Sequence, residues 1–399
     1  MKKIIAVSLL LALVLCVFAG CEKEPTENKK LVIWTNMSVE ADTIQQLANV
    51  WGEENGYTVE VLHQSPSVQK FAQAAKSPDG PDAVIGIPND QLADYVNAGL
   101  AAEVPAGTYT DSDFCDAAIQ ACYVAGARYA APLSVETITL FYNTELVSSV
   151  PSTWEEMVAQ AAQSGGLQFD ATSIYYDLGF VRAFGGYIFK YENGTYDVNN
   201  IGLANAGAVK AYEFINAMHG EYGLVSADVT ADIARSNFQN GKTAYYIGGP
   251  WDIDGFTSAG TPFAIAKMPT INGQAFVTPV GTQVSFVSNQ SDEQEAAWEL
   301  IMYIINNGGM DMYEAGDRIP AKLSDQENDK IQSDAYSKVF IAQIADGEPM
   351  PTVSEMGQLW SIHVNNIRSM WKGELTPKQT ADNIVKQLQE AVELMNSGK

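Results

Sequence analysis

The stretch Leu31–Leu62, LVIWTNMSVEADTIQQLANVWGEENGYTVEVL, decides the fold class. Leu31–Trp34 is a short apolar run of the kind a strand buried on both faces requires. Ile44, Leu47, Ala48 and Trp51 then recur at three- and four-residue spacing, which draws one apolar stripe along a helix. Ser38 is placed to cap that helix, and Gly56 to stop it in a left-handed turn. Thr58–Leu62 reads as a second strand. A strand, a crossover helix and a strand make a parallel pair, so the chain is α/β. Working outward, the turn Asp79-Gly-Pro-Asp82 introduces a third strand at Ala83–Ile87.

Further along, Val135–Tyr142 reads as one extended stretch. Ser152, Thr153, Glu155 and Glu156 supply capping boxes for a helix. Phe189-Lys-Tyr-Glu-Asn-Gly-Thr-Tyr196 reads as a hairpin with Asn-Gly at its tip. Strands follow at Ala244–Ile247, Phe263–Met268 and Val284–Val287. The chain ends in helices. Thr376-Pro-Lys-Gln379 is a capping box with proline at the first helical position. Ala381, Ile384, Val385, Leu388, Ala391, Val392 and Met395 line one face of the last helix. Trp51 and Trp298 sit on helical stripes and are expected in the core.

The 399 residues are enough for two or three domains, and 46% are hydrophobic, which excludes disorder for the chain as a whole. A net charge of −25 repels phosphate backbones, so nucleic acid is not an expected partner. Residues 1–21 read as a secretory signal: Lys2 and Lys3, then the apolar Ile4–Ala19, too short for the roughly 20 residues of a spanning helix. Phe18-Ala-Gly-Cys21 resembles a bacterial lipobox, with Cys21 as the lipidated residue and Phe18 as a departure from the usual Leu. Residues 22–30 read as a polar tether. The expectation is a monomer on the extracellular face of a bacterial cell membrane, held by its lipid anchor. Cys115 and Cys122 fall on a stretch (111–124) with helical character. Seven helical residues separate Cα atoms by about 10.5 Å, beyond the ~7 Å that a disulfide bridges, so both thiols are expected free. His63, His219 and His363 are scattered and there is no Cys-x-x-Cys, so no metal and no cofactor are expected.

Several segments resemble, in order, the maltose/maltodextrin-binding proteins of carbohydrate ABC importers. They are Lys30-Leu-Val-Ile-Trp-Thr-Asn36, Asp79-Gly-Pro-Asp82, Tyr142-Asn143, Thr153-Trp-Glu-Glu156, Gly185-Gly-Tyr187 with Phe189-Lys-Tyr-Glu-Asn-Gly194, Gly249-Pro-Trp251, and Met350-Pro351 with Trp360. The resemblance runs from about residue 30 to the C-terminus. It implies a two-lobed periplasmic-binding-protein-like fold, a ligand cleft between the lobes, and a hinge of three chain crossings. Carried over, one lobe is 31–134 plus 283–330 and the other 138–280 plus 336–399. It also implies a non-enzymatic receptor that captures an oligosaccharide, an α-glucan first of all, and delivers it to a membrane permease.

The same resemblance assigns ligand-binding roles to Asn36, Asp90, Glu136, Tyr175, Tyr176, Trp251, Met350 and Trp360. The types suit a sugar. An aromatic ring covers the apolar face of a pyranose, and carboxylates and amides take its hydroxyls. The departures are Ser38 and Val39 for an Asp-Lys pair, Gly86 or Ile87 for a stacking Trp, Gln91 for an Arg, Ser173 for a Glu, and Ser361 and Val364 for a Tyr and an Arg. Fewer charged donors shift the expected weight to stacking and to Asp90 and Glu136, and leave a different oligosaccharide open. Two other classes stand beside this reading. A glycoside hydrolase would cast Asp90 and Glu136 as its paired carboxylates. A ferric-ion receptor would use adjacent tyrosines, Tyr175-Tyr176 or Tyr245-Tyr246.

Overall fold

The computed structural model describes residues 29–64, 67–192 and 195–397. The signal, Cys21, most of the tether and the Asn193-Gly194 hairpin tip lie outside the described residues. Strand β1 (Lys29–Thr35), helix α1 (Ala41–Asn55) and strand β2 (Tyr57–His63) form the expected unit. The two strands pair in parallel from Lys29↔Tyr57 to Thr35↔His63, so β1 takes in two residues assigned to the tether by sequence. Gly56 at φ 76° ends α1, as expected, and Trp51 is buried. Ser38 does not cap the helix. The chain turns in at Glu40, which makes no side-chain cap, because its carboxylate accepts instead from Arg318 Nε at 2.9 Å in the interior.

Strand β3 (Ala83–Pro88) lies parallel on the other side of β1. The expected single stretch at Val135–Tyr142 is two strands, β4 (Ala131–Glu136) and β5 (Thr139–Asn143), in different sheets. The break falls at Thr137, whose buried hydroxyl lies 2.7 Å from the Thr278 hydroxyl and 2.8 Å from the Pro279 carbonyl. Two passages of the chain between sheets are thereby tied together.

Besides a short pair at Tyr123–Val124 and Ala127–Arg128, the remaining strands are β6 (Leu167–Gln168), β7 (Phe189–Glu192), β8 (Thr195–Ile201), β9 (Tyr245–Gly248), β10 (Phe263–Ala266), β11 (Pro279–Val287), β12 (Ile319–Pro320) and β13 (Glu348–Pro349). A seven-stranded sheet runs β12-β4-β11-β3-β1-β2, with β13 beside the start of β11; a four-stranded sheet runs β10-β5-β9-β6. Strands β7 and β8 pair antiparallel as the expected hairpin. These two sheets with their covering helices are the two lobes of an α/β fold.

The helices used below are α2 (Trp154–Ser164), α3 (Ile174–Ala183), α4 (Ala206–Gly220), α5 (Ala335–Ile344), α6 (Met356–Trp371) and α7 (Pro377–Ser397). The box at Thr376 is complete, whereas at α2 only half of one forms, the Glu156 carboxylate taking the Ser152 hydroxyl instead of returning to the Thr153 N–H. Thr153 accepts from the Glu156 backbone, and Thr376 and Gln379 exchange hydrogen bonds at the start of α7. Around α2, Trp154 packs on Phe180 and Phe276 with centroids 4.6 and 5.4 Å apart. Trp298 is buried, as its stripe predicts. The stretch 111–124 differs from its reading. Only Asp116–Gln120 is a regular α-helix, and Tyr123–Val124 turns back through Ala125 (φ 50°) and Gly126 (φ 82°) to pair with Ala127–Arg128. Cys115 and Cys122 are both free; Cys122 is buried and its thiol donates to the Ala118 carbonyl.

Candidate functional site

One edge of the large sheet collects side chains from five strands. β1, β3 and β4 run parallel, and β11 and β12 run against them. The carboxyl ends of the first three and the amino ends of the last two therefore meet at the same edge. Asn36 follows β1, Asp90 follows β3, and Glu136 closes β4. Thr282 and Gln283 lie early in β11, and Arg318 directly precedes β12. Such an edge is where open α/β sheets take ligands.

Facing this edge are Tyr175 in the first turn of α3, Trp251 in the turn after β9, Met350 directly after β13, and Trp360 near the start of α6. All line one cavity of about 440 Å³ together with Asn36, Asp90, Glu136, Thr282, Gln283 and Arg318. Seven of the eight sequence candidates thus surround a single space. Tyr176 does not line it. Adjacent helical residues diverge by about 100°, and its ring packs 6.0 Å from Phe169 in the core. Tyr245 and Tyr246 are core residues of β9. Gly86 (φ 74°) faces the Met37 side chain and Ile87 is buried, so no aromatic ring stands at the position where the family pattern has a Trp. Ser38 and Val39 are exposed.

The local structure explains how Trp251 is presented. A Cβ on Gly249 would come within 2.3 Å of the indole, so the ring lies directly over that backbone, and only glycine allows it. Asp252, buried beneath the turn, accepts from the Tyr246 hydroxyl at 2.9 Å and from the Gly249 N–H at 3.3 Å, and pairs with Arg235. The indole is left 36% exposed. Trp360 is half-buried and lines the cavity with Asp90. Burial raises the Asp90 carboxyl above its ordinary value; its backbone hydrogen bonds and Trp360 oppose the rise. Burial also pushes the Tyr175 phenol well up, helped by Tyr176 and by the negative charge of Asp90.

Arg318 is the residue that the sequence reading missed. It is held by Glu40, only 2% exposed, and its other edge meets Glu136. Gln283 Nε2 donates to the same Glu136 at 3.3 Å. Asn89, beside Asp90, is also placed to join the lobes: its amide donates to the Met350 carbonyl and the Thr352 hydroxyl, and accepts from Thr282 N–H. The only sequence signal for Arg318 was an arginine directly ahead of the Ile-Pro of a short strand. The set has hydrogen-bond donors and acceptors, aromatic faces and one guanidinium set between two carboxylates. Among the described residues there is no cluster of three or more His, Cys, Asp or Glu side chains able to hold a metal, and Glu136 is engaged by a guanidinium.

Comparison with known proteins agrees with this build. A sequence model described as bacterial extracellular solute-binding protein matches residues 46–338, more than half of the chain. The galactooligosaccharide-binding protein of Bacillus subtilis is 29% identical over 94% of this chain and 93% of its own. The maltodextrin-binding protein MdxE of the same organism is 26% identical over 92% and 91%. The maltose-maltodextrin binding protein of Alicyclobacillus acidocaldarius superposes with a TM-score of 0.83 at 32% identity, covering 90% of this chain and all of that one. A cyclo/maltodextrin-binding protein complexed with maltotetraose gives 0.85 at 27%, over 92% and 98%. Each of these relatives is named for binding and none for catalysis. With the family model spanning both lobes and the cleft edges in place, the chain belongs to the bacterial extracellular solute-binding proteins.

Proposed function

We propose that the cleft captures a neutral oligosaccharide, an α-glucan of the maltodextrin type, by closure of one lobe on the other, and that the loaded protein delivers it to an ABC permease. The lobes are taken as 31–134 plus 283–330 and 138–280 plus 336–399, with Thr137 at the first crossing tied to Thr278 just before the second. The observation that carries the reading is the meeting of Trp251, Trp360 and Tyr175 with Asp90, Glu136 and Arg318 around one cavity. Aromatic faces take the apolar side of a pyranose, and the charged groups take its hydroxyls at about 1.5–3 kcal/mol per hydrogen bond. Asn36 and Met350 complete the contact set. Arg318 is shared between Glu40 and Glu136, so among the described residues the lining holds no free cation for an anionic ligand, and Asp90 repels one.

A galacto-oligosaccharide is the second reading. It is favoured by the 29% identical relative and by the lack of an aromatic ring at Gly86 and Ile87. Titration calorimetry of the mature protein with maltotriose, maltotetraose and a β-linked galacto-oligosaccharide separates the two. Binding of the maltodextrins alone supports the first reading and of the galactoside alone the second. Binding of neither, with a wider panel also silent, refutes both. The lipid anchor is placed on Cys21; labelled palmitate should enter the wild-type chain in a bacterial host and not Cys21→Ala.

A further inference from the structure

Behind the cleft, two helices that carry its aromatic wall meet through a buried acid and a buried imidazole. Asp177 lies in the first turn of α3, two residues after Tyr175. His363 lies in α6, three residues after Trp360 and so near it along the helix surface. Both side chains are fully buried, with His363 Nε2 3.9 Å from Asp177 Oδ2. His363 Nδ1 lies 2.9 Å from the Thr172 carbonyl, which requires the proton on Nδ1 and leaves Nε2 as an acceptor facing Asp177. Neither carboxylate oxygen has a hydrogen-bond partner among the described residues, nor has His363 Nε2 or the Tyr212 hydroxyl. Tyr212 enters from α4, its ring 5.9 Å from the imidazole.

We propose that Asp177 and His363 are a positioning pair: sharing one proton, they lock α3 to α6 and so fix the spacing of Tyr175 and Trp360 in the ligand cleft. The proton count follows from burial. A lone carboxylate or a lone imidazolium in this interior is unpaired charge, while one proton on the pair leaves it neutral in either arrangement. Burial, then repulsion from Asp170 in the preceding loop, raises the Asp177 carboxyl well above its ordinary value. Burial lowers His363 to about 4, the Thr172 carbonyl opposing. The other titratable group beside the pair is Tyr212, whose phenol burial pushes well up.

The sign of the pH effect is fixed by this. Between about pH 4 and 6.5 the unfolded chain carries the proton on the imidazole and the folded chain carries it on the pair, so the pair contributes no slope. Above about pH 6.5 the unfolded imidazole is neutral while the folded pair retains its proton. The folding equilibrium then falls by up to about tenfold per pH unit until Asp177 ionises.

Three measurements on the full mature protein test this. In the wild type, nitrogen NMR of the three histidines should find His363 protonated on Nδ1 and silent around pH 6.5; an ordinary titration there overturns the proposal without any variant. Second, denaturant unfolding from pH 6 to 9 compares wild type with Asp177→Asn, which keeps a donor group facing Nε2 but does not titrate. The wild type should lose up to about tenfold more of its folding equilibrium per pH unit than the variant; equal slopes overturn the pair. Third, affinity for maltotriose, or for the galacto-oligosaccharide if that binds instead, should hold level across pH 6.5 in the wild type and weaken only where the folded pair loses its proton, at the pH where the stability slope ends, while Asp177→Asn stays flat there. A stability difference with identical affinity profiles means a merely structural pair and overturns the positioning role. The affinity arm rests on the oligosaccharide reading; loss of all binding would count against that reading, while the first two measurements still decide the pair.

Discussion

The two walls of the cleft are built by different means. The wall from the large sheet is a row of strand ends: Asn36, Asp90, Glu136, Gln283 and Arg318 all arrive because five strands stop or start at one edge. Its groups are polar, and they are cross-tied from behind by Glu40 and alongside by Asn89. The facing wall comes from helix starts and turns, and it presents Tyr175, Trp251, Met350 and Trp360. The difference teaches where each kind of recognition is cheap to hold. Hydrogen-bonding groups need fixed direction, which a sheet supplies. An aromatic face needs a broad surface free to approach, which a turn over Gly249 supplies. Damage to the first wall should therefore spread into stability, and damage to the second should stay in affinity.

The largest expected effect lies on the polar wall. Arg318→Met leaves Glu40 buried without a partner, a class of change that costs about 3–5 kcal/mol. Denaturant unfolding should show that loss. The double variant Glu40→Gln/Arg318→Met should recover much of it without regaining sugar binding. Unchanged stability in the single variant would break the contrast between the walls. On the aromatic wall, Trp360→Ala should weaken oligosaccharide binding by about 2–4 kcal/mol, the range of an interface anchor, and Trp251→Ala somewhat less because its indole is more exposed. Both should unfold within about 1 kcal/mol of the wild type. Calorimetry and unfolding on the same samples check the pairing of outcomes.

Asp90 shares the cavity with Trp360 of the facing wall, so its titration sharpens the comparison. Its carboxyl is raised by burial. Lowering the pH through that raised value protonates it above the ordinary carboxylate range and removes a charged acceptor, so affinity falls as the pH falls. The ligand-free protein behaves oppositely. A raised carboxyl contributes stability fully only below its unfolded pKa, and that stability is lost as the pH rises through the folded value. Asp90→Asn should flatten both profiles relative to the wild type between pH 4 and 7.

What could be read in the sequence follows a physical line. The β1-α1-β2 unit, the Thr153 cap and the Thr376 box have local causes: periodicity and a hydrogen bond closed within four residues. They were legible. Arg318 was not, because its place depends on β12 entering the sheet antiparallel beside β4, more than 180 residues away in the chain. The same holds for Glu40, which abandons a capping role for a partner 278 residues distant. The apparent continuous strand through Thr137 failed for this reason too. Alternation of Val135, Thr137 and Thr139 continues across the crossing, and only the tie to Thr278 marks the break. Tyr176 was assigned beside Tyr175 because a dipeptide gives no hint of which ring faces the cleft.

That last pair gives the smallest and most discriminating prediction. Tyr175 and Tyr176 are neighbours with rings 5.6 Å apart, and removal of either hydroxyl takes away the same atoms. Tyr175→Phe loses a phenol beside Asp90 on the cleft wall, and affinity should drop by the 0.5–1.5 kcal/mol of about one neutral hydrogen bond. Tyr176→Phe changes a ring packed on Phe169, near the Asp252 and Arg235 charges that support the Trp251 turn. Its affinity should stay within about 0.5 kcal/mol of the wild type, the usual range for a change that touches no critical feature. Calorimetry with the same sugar reads both. Equal losses would mean that the second tyrosine reaches the ligand, and that the aromatic wall extends deeper into α3 than its first turn.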